Sequence, residues 1–343
     1  CEKIGWNTDS GGFLTSGGTL ANLTALLSAR KAVVCHDVWN DGHHEQLGIM
    51  VSDQAHYCID RAARIMGLGA EGVIHLPVNE SYCVDTTTLT SKLKEANDKG
   101  IHVFALVACS CSTATGSYDD LNVFSKFAED HNLWLHVDGA HGGAVVFSDE
   151  YKHLVDGIHK ANSVIIDCHK MMMTPTLCTA VLYKNKDHTL ATFRQKADYL
   201  FDVAEDYDWW NSGKRTFECT KLMMSIKVMA IVKMVGQEVF GEIVDKLYSL
   251  AKECADIIQA DLDFELALDP QANIICYRWK GSNDINRRIR KRLLEDGNFY
   301  VVQTILDGRV FLRSAFMNPR MEVVHFKALV EEIRTLVPQL PNN

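Results

Sequence analysis

The apolar positions of this 343-residue chain fall into two alternating patterns. Short runs of strand length occupy residues 103–108, 133–137, 164–166 and 179–183, and between them the pattern shifts to a helical repeat, as over residues 120–131. That alternation predicts βα units and a largely parallel sheet, hence an α/β protein. Residues 12–31 read as a short apolar strand, a turn at Ser16-Gly17-Gly18-Thr19, and a helix with Leu20, Leu23, Leu26 and Leu27 on one face. Such sheets collect their sites at the carboxyl ends of the strands.

At residues 214–240 a stretch rich in Met, Lys and Val predicts a long linking helix. Beyond it the pattern predicts a helix over 242–260, strands near 264–268 and 273–279, a charged helix over 283–295, strands near 299–305 and 309–316, and a last helix over 321–336. The expected organisation is a large domain over residues 1–213, the linking helix over 214–240 and a smaller α/β domain over 241–343. No internal repeat or low-complexity segment interrupts it.

Composition narrows the function classes. With 47% hydrophobic and 23% charged residues the chain can bury a large core. A formal charge of −9 and no long Lys/Arg run argue against nucleic-acid and anionic-membrane surfaces. No apolar run approaches the roughly 20 residues a membrane helix needs. Eleven cysteines, several in apolar segments (Cys58, Cys109, Cys168, Cys178, Cys276), suit a reducing cytoplasm better than a disulfide framework. Cys109-Ser110-Cys111 lacks zinc spacing and His36, His43 and His44 lie in a polar loop, so no metal is expected. The first residue is Cys1 and no signal segment precedes the first motif, so something upstream is expected to be missing.

The chemistry concentrates at two strand ends. One apolar run closes on His136-Val137-Asp138-Gly139-Ala140-His141-Gly142-Gly143, a later one on Asp167-Cys168-His169-Lys170. A carboxylate at one end and a His-Lys pair at the other suit a cofactor with an aldehyde and a basic ring nitrogen, which describes pyridoxal phosphate. Lys170 would hold the aldehyde as a Schiff base and Asp138 would keep the ring nitrogen protonated. Ser16-Gly17-Gly18-Thr19 before a helix offers backbone N–H groups and a positive helix end to a phosphate, although an ordinary strand-to-helix turn reads the same way. His56 could stack on a planar ring, but a single histidine beside a helix is more often structural. Ser112-Thr113 could offer a hydroxyl to the cofactor or simply end a strand, and His169 could reach the phosphate or pack beside the lysine.

Taken in order, Thr15-Ser16-Gly17-Gly18-Thr19-Leu20-Ala21-Asn22-Leu23, Ala55-His56-Tyr57, Gly116-Ser117-Tyr118-Asp119-Asp120-Leu121, Leu135-His136-Val137-Asp138, His169-Lys170-Met171-Met172 with Pro175, Lys196-Ala197-Asp198-Tyr199-Leu200-Phe201, and Phe311-Leu312-Arg313 with Asn318-Pro319 resemble the group II pyridoxal-phosphate amino-acid decarboxylases, most closely the glutamate and cysteine-sulfinate branch. The resemblance implies fold type I, the aspartate-aminotransferase-like architecture, and a homodimer with active sites at the subunit interface. It implies Lys170 as the cofactor lysine, Asp138 as the ring-nitrogen partner and His56 as the stacking histidine. It further implies Thr113 near the ring substituents, Gly17, Gly18, Thr19 and His169 around the phosphate, Tyr199 on a catalytic loop, and Arg313 on a substrate carboxylate. The family's N-terminal segment of intertwined helices is expected to be absent here.

Three departures bear on the substrate. Asp138-Gly139-Ala140-His141 stands where Asp-Ala-Ala-Trp is common, and Cys111-Ser112-Thr113 where Gly-Thr-Thr is common. Asp167 takes a place often held by Asn, and a carboxylate near a phosphate would repel it unless turned away. The expected activity is decarboxylation of an L-amino acid: glutamate, aspartate, cysteine sulfinate or an aromatic amino acid. An aminotransferase or other fold type I lyase, and a non-catalytic relative that keeps the fold, are the alternatives.

Overall fold

The computed structural model describes residues 1–193 and 211–340. Compactness divides the chain into two units: Cys1–Ser112 with Tyr118–Gly241, and Thr113–Ser117 with Glu242–Asn343.

The first unit is built on a seven-stranded sheet of β1 (Gly11–Thr15), β2 (Gln46–Ser52), β3 (Val73–Leu76), β4 (Ile101–Cys109), β5 (Trp134–Asp138), β6 (Ser163–Asp167) and β7 (Thr179–Tyr183), in the order β1-β7-β6-β5-β4-β2-β3. The five strands from β6 to β3 are parallel, as the alternating pattern predicts. Strand β7 runs antiparallel to both β6 and β1. Its direction follows from its connection: the chain from Asp167 to Thr179 holds no helix, and a parallel return needs a crossover of a dozen residues or more.

Helix α1 (Gly18–Val33) lies on this sheet, touching β4 to β7. Ala21, Ala25 and Ala29, spaced by four, are fully buried, so small side chains let the helix approach closely. The helices that follow are α2 (Val38–Asp41), α3 (Cys58–Ile65), α4 (Leu89–Asp98), α5 (Leu121–Asp130) and α6 (His188–Ala191). Asp120 caps α5, its Oδ1 accepting from the N–H groups of Asn122 and Val123 at 3.0 and 3.1 Å.

Residues 214–240 do not form the single linking helix the sequence pattern suggests. After a 3-10 turn at Ser212–Lys214 the chain is non-helical to Met224, then forms α7 (Ser225–Val235). Gly236, at φ +83°, ends α7, and α8 (Glu238–Ala260) starts anew. A Met- and Val-rich pattern cannot show that break; the glycine could.

The second unit holds an antiparallel sheet ordered β10-β11-β9-β8, from β8 (Phe264–Leu266), β9 (Ile274–Trp279), β10 (Val302–Leu306) and β11 (Arg309–Ala315), with α9 (Asn283–Asp296) and α10 (Val323–Leu336). Its core is an aromatic cluster in which Tyr277 and Phe316 meet Phe326 edge-on at 5.4 and 5.9 Å. These elements match the predicted ones to within a few residues.

Candidate active site

Asp138 is the last residue of β5 and Asp167 the last of β6, so two buried carboxylates close neighbouring parallel strands. Their surroundings differ. Asp138 Oδ2 accepts from Asn22 Nδ2 at 3.0 Å and Oδ1 from the Ala140 N–H at 3.1 Å. Burial raises its pKa, an effect opposed by the charge of Lys170, the Ala140 N–H and the Asn22 amide, and reinforced by the charge of Asp167. Asp167 Oδ1 accepts from Thr179 Oγ1 at 2.5 Å, its partner residue across β7, while Oδ2 lies 2.9 Å from Lys170 Nζ. The chain turns directly after β6, with the Lys170 N–H bonded to the Asp167 carbonyl at 3.1 Å, which brings the lysine back over its own strand end. His169 Nε2 stands 3.7 Å from Asp167 Oδ2, and its Nδ1 sits against the backbone of Cys178.

The start of α1 belongs to the same place. Gly17 adopts φ +99°, which a side chain would strain, and α1 has neither a side-chain cap nor an acidic residue in its first turn. A Cβ on Gly18 would stand 3.1 and 3.2 Å from the Asp167 oxygens. The carboxylate expected to repel a phosphate is therefore not turned away from the helix start; the Lys170 ammonium balances its charge. Thr19 is exposed, and the buried Thr15 Oγ1 has no hydrogen-bond partner among the described residues.

His56 is half-buried, its ring 4.2 Å from that of Tyr57. Burial lowers its pKa, with Asp138, Lys170 and Asp167 all near enough to act on it. Its imidazole is thus neutral at neutral pH, an uncharged aromatic face within the field of the two carboxylates and the lysine. The departure at Gly139 also has a steric cause: a Cβ there would meet the Ile165 carbonyl at 2.8 Å and Gly143 Cα at 3.1 Å. The alanine common at this position would not fit this backbone.

Two of the expected residues belong to the second unit and one lies outside the described residues. Thr113 is exposed and lies in the Thr113–Ser117 segment of the second unit, and Arg313, on β11 of that unit, donates from Nε to the Ala114 carbonyl at 3.1 Å. Tyr199 lies outside the described residues. Conversely, Asn22, His136 and Ser163 carry no role in the sequence reading, yet they line up behind Asp138. The available signal was Asn22, a polar residue on the alanine-lined buried face of α1.

Residues 2–280 match the family model for the pyridoxal-dependent decarboxylase conserved domain. The chain belongs to the pyridoxal-dependent decarboxylases. Its relatives in this family include the aromatic-L-amino-acid decarboxylase of Bacillus atrophaeus, 28% identical over 353 residues that cover 98% of this chain and 72% of that protein. The acidic amino acid decarboxylase GADL1 of Mus musculus is 26% identical over 355 residues, covering 98% of this chain but only 64% of its own length, so the chain spans less than two thirds of that relative. Among solved structures, the glutamate decarboxylase domain of diaminobutyrate-pyruvate transaminase and L-2,4-diaminobutyrate decarboxylase from Vibrio parahaemolyticus superposes with a TM-score of 0.88 at 27% identity, covering 99% of this chain and 71% of that one. The fold is thus that of the pyridoxal-phosphate decarboxylases, fold type I, and the cofactor of the family is pyridoxal phosphate.

The residues at these strand ends and at the start of α1 fit that cofactor. An uncapped helix start with two glycines suits a phosphate, the Lys170 amine an aldehyde, the buried Asp138 carboxylate a protonated ring nitrogen, and the neutral His56 ring a planar heterocycle.

Proposed function

We propose that this protein removes CO2 from an L-amino acid, with an acidic substrate such as glutamate, aspartate or cysteine sulfinate. The observation that carries the reading is the convergence of Lys170, Asp138 and His56 at the ends of β5 and β6, where the charge of Lys170 acts on Asp138 and both act on His56. When bound, pyridoxal phosphate supplies an electron sink for the pair left on Cα after a bond to it breaks. Lys170 would hold the aldehyde carbon through its amine. Asp138 would keep a proton on the ring nitrogen, and His56 would cover one face of the ring. Gly17, Gly18, Thr19 and His169 would hold the phosphate, and Thr113 would offer a hydroxyl to the ring substituents. Arg313 holds a substrate carboxylate through its fork of N–H groups and so orients the substrate, while Tyr199 delivers a proton to Cα.

The protein acts as a homodimer with active sites at the subunit interface. What supports this is α7, which has no buried residue and exposes Ile226, Met229, Met234 and Val235. No helix among the described residues is long and apolar enough to cross a membrane, and all eleven cysteines carry free thiols, which suits a cytoplasmic setting.

A panel of L-amino acids scored for CO2, amine and keto acid tests the reading. Release of CO2 and amine from an acidic member is the expected result. A keto acid without CO2 would make the protein an aminotransferase, and cofactor binding without any product a non-catalytic relative. Turnover of aromatic members alone would move the substrate to the second reading, which the similarity to the Bacillus aromatic decarboxylase favours.

A further inference from the structure

Behind Asp138 a line of buried side chains runs from β5 and β6 to α1. Trp134 Nε1 donates to Ser163 Oγ at 2.8 Å, and Ser163 Oγ lies 2.8 Å from His136 Nδ1. His136 Nε2 lies 2.8 Å from Asn22 Oδ1, and Asn22 Nδ2 donates to Asp138 Oδ2 at 3.0 Å and to Cys58 Sγ at 3.2 Å. His136 and Ser163 are direct partners across the parallel strands, and both are fully buried. Four polar side chains in such a place are costly unless each is satisfied.

The line has a fixed sense. An indole N–H only donates, so Ser163 Oγ accepts from Trp134 and its single hydroxyl hydrogen goes to His136 Nδ1. Nδ1 is then bare, the ring proton sits on Nε2, and it donates to Asn22 Oδ1. That turns the Asn22 N–H groups toward Asp138. If Asp138 were instead protonated and donated to a flipped Asn22, His136 would carry its proton on Nδ1 and Ser163 would face two donors. Its own hydroxyl hydrogen would then have no acceptor in the line. With that alternative removed, Asp138 Oδ2 accepts from the Asn22 amide as Oδ1 accepts from the Ala140 N–H, and two N–H donors on one carboxyl group favour its ionised form.

We propose that Trp134, Ser163 and His136 are positioning residues that fix the Asn22 amide as a donor to Asp138, and so hold Asp138 as an acceptor-only carboxylate for the cofactor's ring nitrogen. The inference rests on reading Asp138 as the ring-nitrogen partner. The relay works without charge: burial pushes His136 down to about 3, so the imidazole stays neutral. The other ionisable groups acting on this pocket are Lys170 and Asp167, whose effects on Asp138 oppose each other, and Cys58 and Cys109, which burial keeps as thiols. Beside the charge of Lys170, the neutral Ala140 N–H and Asn22 amide counter the burial of Asp138, and neutral donors leave its charge for a cation brought by the cofactor.

The test uses the full-length holoenzyme loaded with pyridoxal phosphate labelled with 15N in the ring, whose shift reports whether the ring nitrogen is protonated. Wild type should keep that proton through pH 8, and Asp138→Asn should lose it. His136→Phe should lower the pH at which it is lost by about one unit, a tenfold drop in proton affinity, and Ser163→Ala should shift it the same way. His136→Gln, whose amide can still donate to Asn22, should restore most of the wild-type profile. A wild-type profile in His136→Phe, with the proton lost in Asp138→Asn, overturns the relay alone. A proton retained in Asp138→Asn overturns the ring-nitrogen reading itself. Should His136→Phe fail to fold, 15N-histidine spectra of the wild-type holoenzyme decide: a proton on Nε2 without titration from pH 5 to 8 is expected, whereas a proton on Nδ1, or a midpoint near the ordinary histidine value, overturns the proposal.

Discussion

Asp138 and Asp167 close adjacent strands, are both buried, and yet are held by opposite means. Asp167 is answered by a cation, Lys170 Nζ at 2.9 Å, and by the Thr179 hydroxyl. Asp138 is answered by an amide and a backbone N–H, both neutral. An ion pair satisfies a carboxylate and also cancels its field, whereas neutral donors stabilise the ion and leave its charge for something else to meet. On the proposed reading the contrast separates two tasks: Asp167 steadies the lysine beside the helix start, and Asp138 keeps its charge for a proton-bearing ring.

The most severe way to break this division is to remove the cation. Lys170→Ala should end turnover and covalent attachment of the cofactor, and among the described residues it leaves Asp167 with Thr179 and the flank of His169. Borohydride reduction followed by intact-mass measurement would show no added pyridoxyl group. An adduct that persists on another lysine would mean that Lys170 is not the attachment point.

The neutral side has its own signature in stability against pH. His136 has a folded pKa near 3, below its unfolded value of about 6.5, so the unfolded chain takes up the proton first. Its contribution is therefore present above about pH 6.5 and is lost as pH falls toward 3, about 4–5 kcal/mol in full and roughly 2 kcal/mol by pH 5. His136→Gln lacks this loss. The urea-unfolding stabilities of wild type and variant should converge by about 2 kcal/mol between pH 7 and pH 5; a constant gap would show that His136 titrates alike in both states.

Asp138→Asn sharpens the comparison on the catalytic side. The amide cannot hold a ring proton, and loss of such a preorganised electrostatic contact typically costs about 10²–10³ in rate. Cofactor should be retained, because the phosphate and aldehyde contacts do not involve Asp138. Near-normal turnover of the variant would remove Asp138 from the chemistry.

How much of this was legible in the sequence divides along the same line. Strand periodicity located β4 to β7, and the position of Asp138 and Lys170 after apolar runs placed both at strand ends. The Ser16-Gly17-Gly18 turn announced the helix start, since few residues tolerate the backbone that Gly17 adopts. What stayed hidden depended on register between distant segments. His136 meets Ser163 only because β5 and β6 pair in one register, and Asn22 reaches both His136 and Asp138 only because alanines let α1 sit close to the sheet. Ion pairs of a lysine three residues from its carboxylate can be guessed from spacing; a relay that crosses three elements cannot. The antiparallel turn of β7 and the break at Gly236 were hidden for a simpler reason, because apolar periodicity carries neither strand direction nor backbone handedness.

The finest test separates what Asp167 gives from what it costs. Asp167→Asn keeps an acceptor for Thr179 and loses the ion pair with Lys170, whose side chain is 34% exposed, so solvent already screens much of the attraction. The stability loss should be under about 1 kcal/mol. The carboxylate also faces the first residue of α1, where the glycine turn suits a phosphate, and two like charges there oppose each other. The amide removes that opposition and should tighten cofactor retention by about tenfold, roughly 1.4 kcal/mol. Equilibrium dialysis of wild type and variant against graded pyridoxal phosphate measures it. Weaker retention in the variant would mean that the Asp167–Lys170 pair holds the lysine in place for the cofactor, and that this contribution outweighs the repulsion.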